Sequence, residues 1–231
     1  MTGRLIYVMG PSGAGKDTIL QALVGLMGDA VYLAPRIVTR RDDASGPDVA
    51  SALMATPGLD GASLSNAASV SKKDSTSSSA SVSDDVFKKL ELSGVFAMSW
   101  RANGLAYGID RIDIDPKLSQ GLDVLINGSR QYFEEACQRY PALVPVLLDV
   151  PAAILEARLQ ARGRESAAQI QQRLDRNARF ASLSDAHTHR AIIRVDNTGT
   201  VERAVAQLHA GLIADADVNA TANSLGDRSC A

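Results

Sequence analysis

Apolar and polar positions fall into alternating blocks along the chain, and the period changes from block to block. Arg4 to Met9 (RLIYVM) is a short apolar run rich in β-formers that ends at Gly10, as a strand buried on both faces does. Beyond Lys16 the period becomes helical. Ile19, Leu20, Leu23, Val24 and Met27 share one face, and Gly28 supplies a stop. Asp123 to Ile126 (DVLI) reads as a second strand ending at Asn127-Gly128, followed by a helix around Tyr132 to Arg139. Val144 to Val150 is a third strand, and Pro151 opens the next helix, where its missing N–H has no partner to lose. Ala191 to Val195 is the last core strand. A final helix runs from about Thr200 to Ile213, with Val201, Val205, Leu208 and Leu212 on one face. Strands alternating with helices predict an α/β fold, a parallel sheet with helices on both faces.

Two segments break the pattern. Residues 48–83 contain NAASVSKKDSTSSSASVS, rich in Ser and Ala with almost nothing to bury. Such a segment does not offset its ordering entropy and is expected to be a disordered insertion. The tail at 215–231 is expected to be flexible. The rest reads as one domain over residues 1–214.

Composition narrows the function. With 231 residues, a formal charge of -2 and a pI near 5.9, the chain lacks the basic surface of a general nucleic-acid binder. Its arginines are clustered, which points to a local anionic ligand. Cys137 and Cys230 do not make a disulfide framework. LIYVMG is too short for a signal peptide and no apolar run suits a membrane span, so a soluble, cytoplasmic protein is expected.

GPSGAGKDT, Gly10 to Thr18, nearly fits the phosphate-loop pattern G-x-x-x-x-G-K-[ST], and it sits between a strand and a helix as that motif requires. Gly10, Pro11, Ser12, Gly13, Ala14, Gly15, Lys16, Asp17 and Thr18 are therefore the candidate nucleotide-binding residues. Backbone N–H groups of such a loop wrap phosphates, the helix N-terminus adds its dipole, and Lys16 reaches the β- and γ-phosphates. ATP as co-substrate with Mg²⁺ follows. The position reserved for a hydroxyl carries Asp17, a hard oxygen ligand that suits magnesium directly or through a water. Alternatively it is a first-turn acid favoured by the helix dipole, with Thr18 or water serving the metal.

Arg158 to Arg179 (RLQARGRESAAQIQQRLDRNAR) carries the second signal. Ser166 and Gln169 resemble a capping box, so a helix starts near Ala167 and Arg162-Gly163-Arg164 lies in a turn between two helices. Arg158 and Arg162 share a face; Arg173, Arg176 and Arg179 lie on the following helix. A lid over about residues 152–180 can bring guanidiniums to a transferring phosphoryl group; a solvated helical hairpin is the plainer alternative. Three further patches, IVTRR with Arg36 before it, WRANGLAYG and INGSR, offer Arg36, Arg40, Arg101 and Arg130 for a second anionic ligand, or are ordinary loops.

The order of motifs, GPSGAGK, TR, a glycine-bounded YG, then RLxxRG with a downstream RL, resembles the guanylate-kinase branch of the P-loop nucleoside monophosphate kinases over most of residues 3–213. That resemblance implies Arg158, Arg162 and Arg173 as lid arginines acting in catalysis with Lys16. It also implies Arg40 and Tyr107 as acceptor-site residues. The departures are specific. Asp43 stands where a second arginine is expected, Met98 where an acid reads guanine, and Asn127 where an acid follows the DVLI strand. GPSGxGKD, SWxANGLxYG and DVLxNGSR together resemble the ribose 1,5-bisphosphate phosphokinases of bacterial phosphonate breakdown. The resemblance implies phosphoryl transfer from ATP to ribose 1,5-bisphosphate, giving 5-phosphoribosyl 1-diphosphate (PRPP); a monomer or homodimer is expected, and charge and hydropathy lead to no nucleic-acid or membrane partner being expected. The competing expectations are a nucleoside monophosphate kinase of altered base choice and a guanylate-kinase-like module without turnover.

Overall fold

The computed structural model describes residues 3–39, 79–163, 165–179, 188 and 190–226. Arg40, Asp43 and most of the Ser/Ala-rich segment lie outside the described residues.

The central sheet is built from β1 (Leu5–Met9), β2 (Val31–Leu33), β7 (Asp123–Asn127), β8 (Val144–Asp149) and β9 (Ile193–Asp196), in the order β2-β7-β1-β8-β9 with every pairing parallel. β1 is buried along its whole length because successive side chains enter different cores. Leu5, Tyr7 and Met9 face one apolar cluster with Phe133, Ile109 and Trp100. Ile6 and Val8 face the other, under α1 (Lys16–Met27) and the C-terminal helix α7 (Val201–Gly226). The predicted strands and helices of this layer are all present, and apart from the end of the last helix their ends shift by one or two residues.

A second, four-stranded sheet holds β3 (Arg36–Thr39), β4 (Ser79–Val82), β5 (Phe96–Ala102) and β6 (Leu105–Asp110) in the order β4-β3-β6-β5. Helix α2 (Asp84–Leu92), capped by the Ser83 hydroxyl, packs Phe87 under it against Phe96. The hydrophobic pattern did not predict this sheet. Its clearest sign is Asn103-Gly104, both at positive φ (54° and 75°), which is the two-residue turn of the β5–β6 hairpin.

Two expectations are corrected at the edges. Residues 79–83 do not belong to a disordered insertion. Ser79–Val82 pairs in parallel with Arg36–Thr39, and the sheet edge supplies the hydrogen bonds that composition alone did not reveal. The last helix does not stop at Ile213 but continues to Gly226. Asp215, expected in the flexible tail, accepts hydrogen bonds from Arg190 at 2.7 Å and Arg4 at 3.5 Å, and Arg4 also pairs with Asp123 at 2.7 Å. No helix among the described residues is long and apolar enough to cross a membrane.

The remaining helices are short α3 (Asp115–Ser119), α4 (Phe133–Arg139), and the pair α5 (Ala152–Arg162) and α6 (Ala167–Arg179). The capping box at the start of α6 forms as predicted: Ser166 N–H donates to Gln169 Oε1 at 2.8 Å and Gln169 N–H donates to Ser166 Oγ at 3.3 Å.

Candidate active site

Beyond the carboxyl ends of β1 and β7, a cleft of about 480 Å³ opens between the phosphate loop, the β5–β6 hairpin and the helix α6. Lys16, Arg36, Arg130, Arg162, Arg173 and Arg176 line it, and Asp17 is the carboxylate among its described lining residues. Such an excess of cations in one concavity suits a polyanion.

The loop takes its shape from glycine. Gly15 caps α1 in the left-handed region (φ 79°), and Gly13 lies at φ 88°. Lys16 turns back over the loop and donates to the carbonyls of Gly10 and Pro11, each at 3.1 Å. Burial first, and then the nearby Arg36 charge, lowers its pKa to about 8. From below, Asn197 Nδ2 donates to the Ala14 carbonyl at 2.6 Å, and Arg158 donates to the Asn197 carbonyl at 2.9 Å. Arg158 therefore corrects the expectation set for it. It does not line the cleft but braces the loop after β9, which in turn holds the phosphate loop.

Asp17 is tied to β3 and β7. Its Oδ1 accepts from Arg36 Nη2 at 2.9 Å and from Asn127 Nδ2 at 2.6 Å. Asn127, the last residue of β7, thereby links the sheet to the first turn of α1. Asp17 remains 59% exposed and keeps a second carboxylate oxygen. No group of three or more His, Cys, Asp or Glu side chains suited to a metal occurs among the described residues. A lone carboxylate nevertheless fits Mg²⁺, which retains waters and takes its other ligands from substrate phosphates.

Arg36 also lies over the ring of Tyr107 at 5.9 Å, and Tyr107 stacks on Trp100 at 5.6 Å with planes 8° apart. These rings form the hairpin wall of the cleft. Arg101 does not join them. Alternation along β5 turns it to the opposite face, where it pairs with Glu91 at 2.6 Å and lies over Phe87. The acceptor role expected for Arg101 is corrected accordingly. Met98 is fully buried in the core and has no access to a ligand.

The loop after β7 rests on a buried tyrosine. Tyr7 Oη donates to the Ser129 carbonyl at 2.9 Å and accepts from Ser129 N–H at 2.8 Å. Gly128 lies directly on the ring, and a Cβ there would meet ring atoms at 2.1 Å. This platform presents Arg130, whose pKa falls to about 10 through burial and the neighbouring Arg176 charge.

The helix α6 closes the cleft from above. Arg173 donates to Ser12 Oγ at 2.6 Å and pairs with Glu165 at 2.6 Å. Arg176 donates to Asn103 Oδ1 at 2.7 Å and Gln131 Oε1 at 3.0 Å. Arg162, at the end of α5, lines the cleft beside them. Sequence reasoning placed Arg176 among the arginines of this helix without giving it a site role of its own, and it missed Asn177. The signal was the spacing from Arg173, which puts positions 173, 176 and 177 on one face.

No family model matches the chain. It is 41% identical to the ribose 1,5-bisphosphate phosphokinase PhnN of Pseudomonas paraeruginosa (strain DSM 24068 / PA7), with 100% of each chain covered. It is 38% identical to the protein of that name from Pseudomonas fluorescens (strain SBW25), over 90% of this chain and 94% of the other. Against that of Azotobacter vinelandii (strain DJ / ATCC BAA-1303) the figure is 42%, over 78% and 82%. Guanylate kinase from Anaplasma phagocytophilum superposes with a TM-score of 0.58 over 92% of this chain and 86% of its own at 14% identity, a likeness of fold alone. The chain thus has a guanylate-kinase-like P-loop fold and belongs to the ribose 1,5-bisphosphate phosphokinase PhnN family.

Proposed function

We propose that this protein transfers the γ-phosphoryl group of ATP to ribose 1,5-bisphosphate, forming PRPP and ADP. The observation that carries the reading is the cleft itself. It gathers Lys16, Arg36, Arg130, Arg162 and Arg173, while the position that reads guanine in the related kinases is Met98, buried in the core. A small, multiply charged sugar phosphate fits such a site better than a purine nucleotide.

The phosphate loop cradles the donor triphosphate, and Lys16 leaves its carbonyl partners to meet the phosphates. Arg162 and Arg173 stabilise charge on the transferring group, and Arg158 acts as a positioning residue through Asn197. Arg36, Tyr107, Asn127 and Arg130 hold the acceptor, with Arg40 as a further candidate. An acceptor phosphate oxygen forms the new P–O bond as the bond between the γ-phosphorus and the β,γ-bridging oxygen breaks, and ADP carries off the electron pair. The attacking oxygen is already anionic, so no general base is required. Asp17 would hold magnesium, directly or through water, where the ion screens the β- and γ-phosphate charges. The chain works as one kinase domain with α5 and α6 as its lid, a cytoplasmic monomer or homodimer.

Phosphorus NMR of reactions containing Mg-ATP with ribose 1,5-bisphosphate, GMP or AMP tests this. A new diphosphate at C1 of the sugar, formed faster than either nucleoside diphosphate, is expected. Faster turnover of GMP would assign the protein as a nucleoside monophosphate kinase.

A further inference from the structure

We propose that Arg176 and Asn177 form an acceptor-reading face of the lid helix, so that the lid closes fully only over a cleft holding donor and acceptor phosphates together. The inference rests on the phosphokinase reading and extends it to residues that carry no role there.

Along α6, Arg173, Arg176 and Asn177 project toward the cleft, but they engage its two halves differently. Arg173 grips the donor side through Ser12 of the phosphate loop, and Glu165 offsets its charge. Arg176 reaches the other side, to the hairpin tip at Asn103 and to Gln131 beyond β7. Both described partners are neutral amide oxygens. They fix the orientation of the guanidinium without neutralising it, which leaves its charge available to an anion.

Asn177 stands between the halves. Its Oδ1 accepts from Ser12 N–H at 3.4 Å and from Arg130 Nη2 at 2.7 Å. Those two donors settle which end of the amide is oxygen, so Nδ2 is the end left over. Nδ2 is buried and has no partner among the described residues. A buried donor without an acceptor is costly, and a ligand oxygen removes the cost. Arg130, Arg173 and Arg176 border the same cleft, so the ligand oxygen that fits is a phosphate oxygen. Burial first, and then the Arg176 charge, lowers the pKa of Arg130, and the same anion offsets the repulsion between the two guanidiniums. Acceptor phosphate at this point would hold the lid down from the side that ATP does not touch, and water would be a poor substitute as phosphoryl acceptor while the lid remains open.

The test compares the parent with Asn177→Ala, Asn177→Asp, Arg176→Gln and Arg176→Lys in steady-state kinetics. Binding of ATP is read separately by calorimetry, and acceptor binding by fluorescence of Trp100, the chain's one tryptophan and part of the cleft wall. Asn177→Ala and Arg176→Gln are each expected to raise the acceptor KM about tenfold or more, the loss of one hydrogen bond to a charged group. ATP affinity should stay within about twofold. Asn177→Asp should be worse than Asn177→Ala, because a carboxylate repels phosphate, and Arg176→Lys should recover part of the loss. Unchanged acceptor KM in both Asn177→Ala and Arg176→Gln, or equal weakening of ATP and acceptor, overturns the inference while leaving the phosphokinase reading intact. A parent that neither binds nor phosphorylates ribose 1,5-bisphosphate removes the reading and the inference with it.

Discussion

The carboxylate of Asp17 and the guanidinium of Arg36 meet at 2.9 Å, one from the first turn of the phosphate-loop helix and the other from the first strand of the four-stranded sheet. A negative charge beside a triphosphate is otherwise unfavourable: at an effective dielectric of ~20 and ~4 Å, one pair of unit charges amounts to ~4 kcal/mol. Arg36 compensates that charge, and Asn127 donates to the same oxygen. The pair joins the helix after the phosphate loop to the four-stranded sheet across the cleft. Asp17 is largely exposed, so the ion pair itself contributes at most ~1 kcal/mol to stability.

Asp17→Asn and Asp17→Ser are therefore expected to melt close to the parent but to need more magnesium. Asn should raise the magnesium concentration for half-maximal rate and lower kcat, and Ser, which restores the hydroxyl of the usual motif, should recover part of both. A magnesium titration of all three proteins checks this. Parental magnesium dependence in both variants would limit Asp17 to holding Arg36 and Asn127.

Lys16 predicts a pH dependence of nucleotide binding. In the free protein its pKa is lowered to about 8, and a bound polyphosphate raises it. Binding then takes up a proton as pH climbs through 8, and ATP affinity should fall above that pH. Calorimetry at pH 8.5 in buffers of different ionisation enthalpy should read proton uptake, and Lys16→Arg should abolish it. For stability the sign is the reverse. The unfolded lysine holds its proton to about 10.5 and the folded one releases it at about 8, so this group's cost to the fold is full below pH 8 and is relieved as pH rises toward 10.5.

Arg36 and Arg101 should separate cleanly. Arg36→Ala is expected to raise the acceptor KM by about tenfold or more, through loss of a charge-assisted contact. Arg101→Ala, which removes an exposed pair with Glu91 on the far face of β5, should leave both KM values near parental. A large acceptor effect of Arg101→Ala would show that this face also meets substrate.

Gly128→Ala should be strongly destabilising, by about 1–3 kcal/mol or more, because the new methyl overlaps the fully buried ring of Tyr7. Tyr7→Phe keeps the ring but strips the loop of two hydrogen bonds to Ser129, at a cost of about 1–3 kcal/mol. Chemical denaturation measures both. In Tyr7→Phe, activity should fall further than the loss of folded protein explains, since the same loop presents Arg130.

The phosphate loop, the parallel layer and the helix pair α5 and α6 were legible in the sequence because each is a local matter. β1 declares itself as an unbroken apolar run, α1 and α7 by their period, and the loop by glycines at fixed offsets. Lys16, Arg162 and Arg173 stand in the cleft where local pattern and family likeness put them. What the sequence did not decide are relations between residues far apart in the chain. Residues 79–82 become a strand only because Arg36–Thr39 offers an edge to pair with. Arg101 looks as suitable as Arg36 until the pleat of β5 turns it away and Glu91 claims it. Arg158 shares a helical face with Arg162, yet Asn197, arriving from the far end of the sheet, takes its guanidinium. Asn177 carries no signature of its own, and it matters only because packing sets it between Ser12 and Arg130. Local pattern fixes the strands and helices of the parallel layer, whereas the second sheet needs pairings between distant segments. Which of their charged groups face a ligand is set by strand register and by partners that only folding brings together.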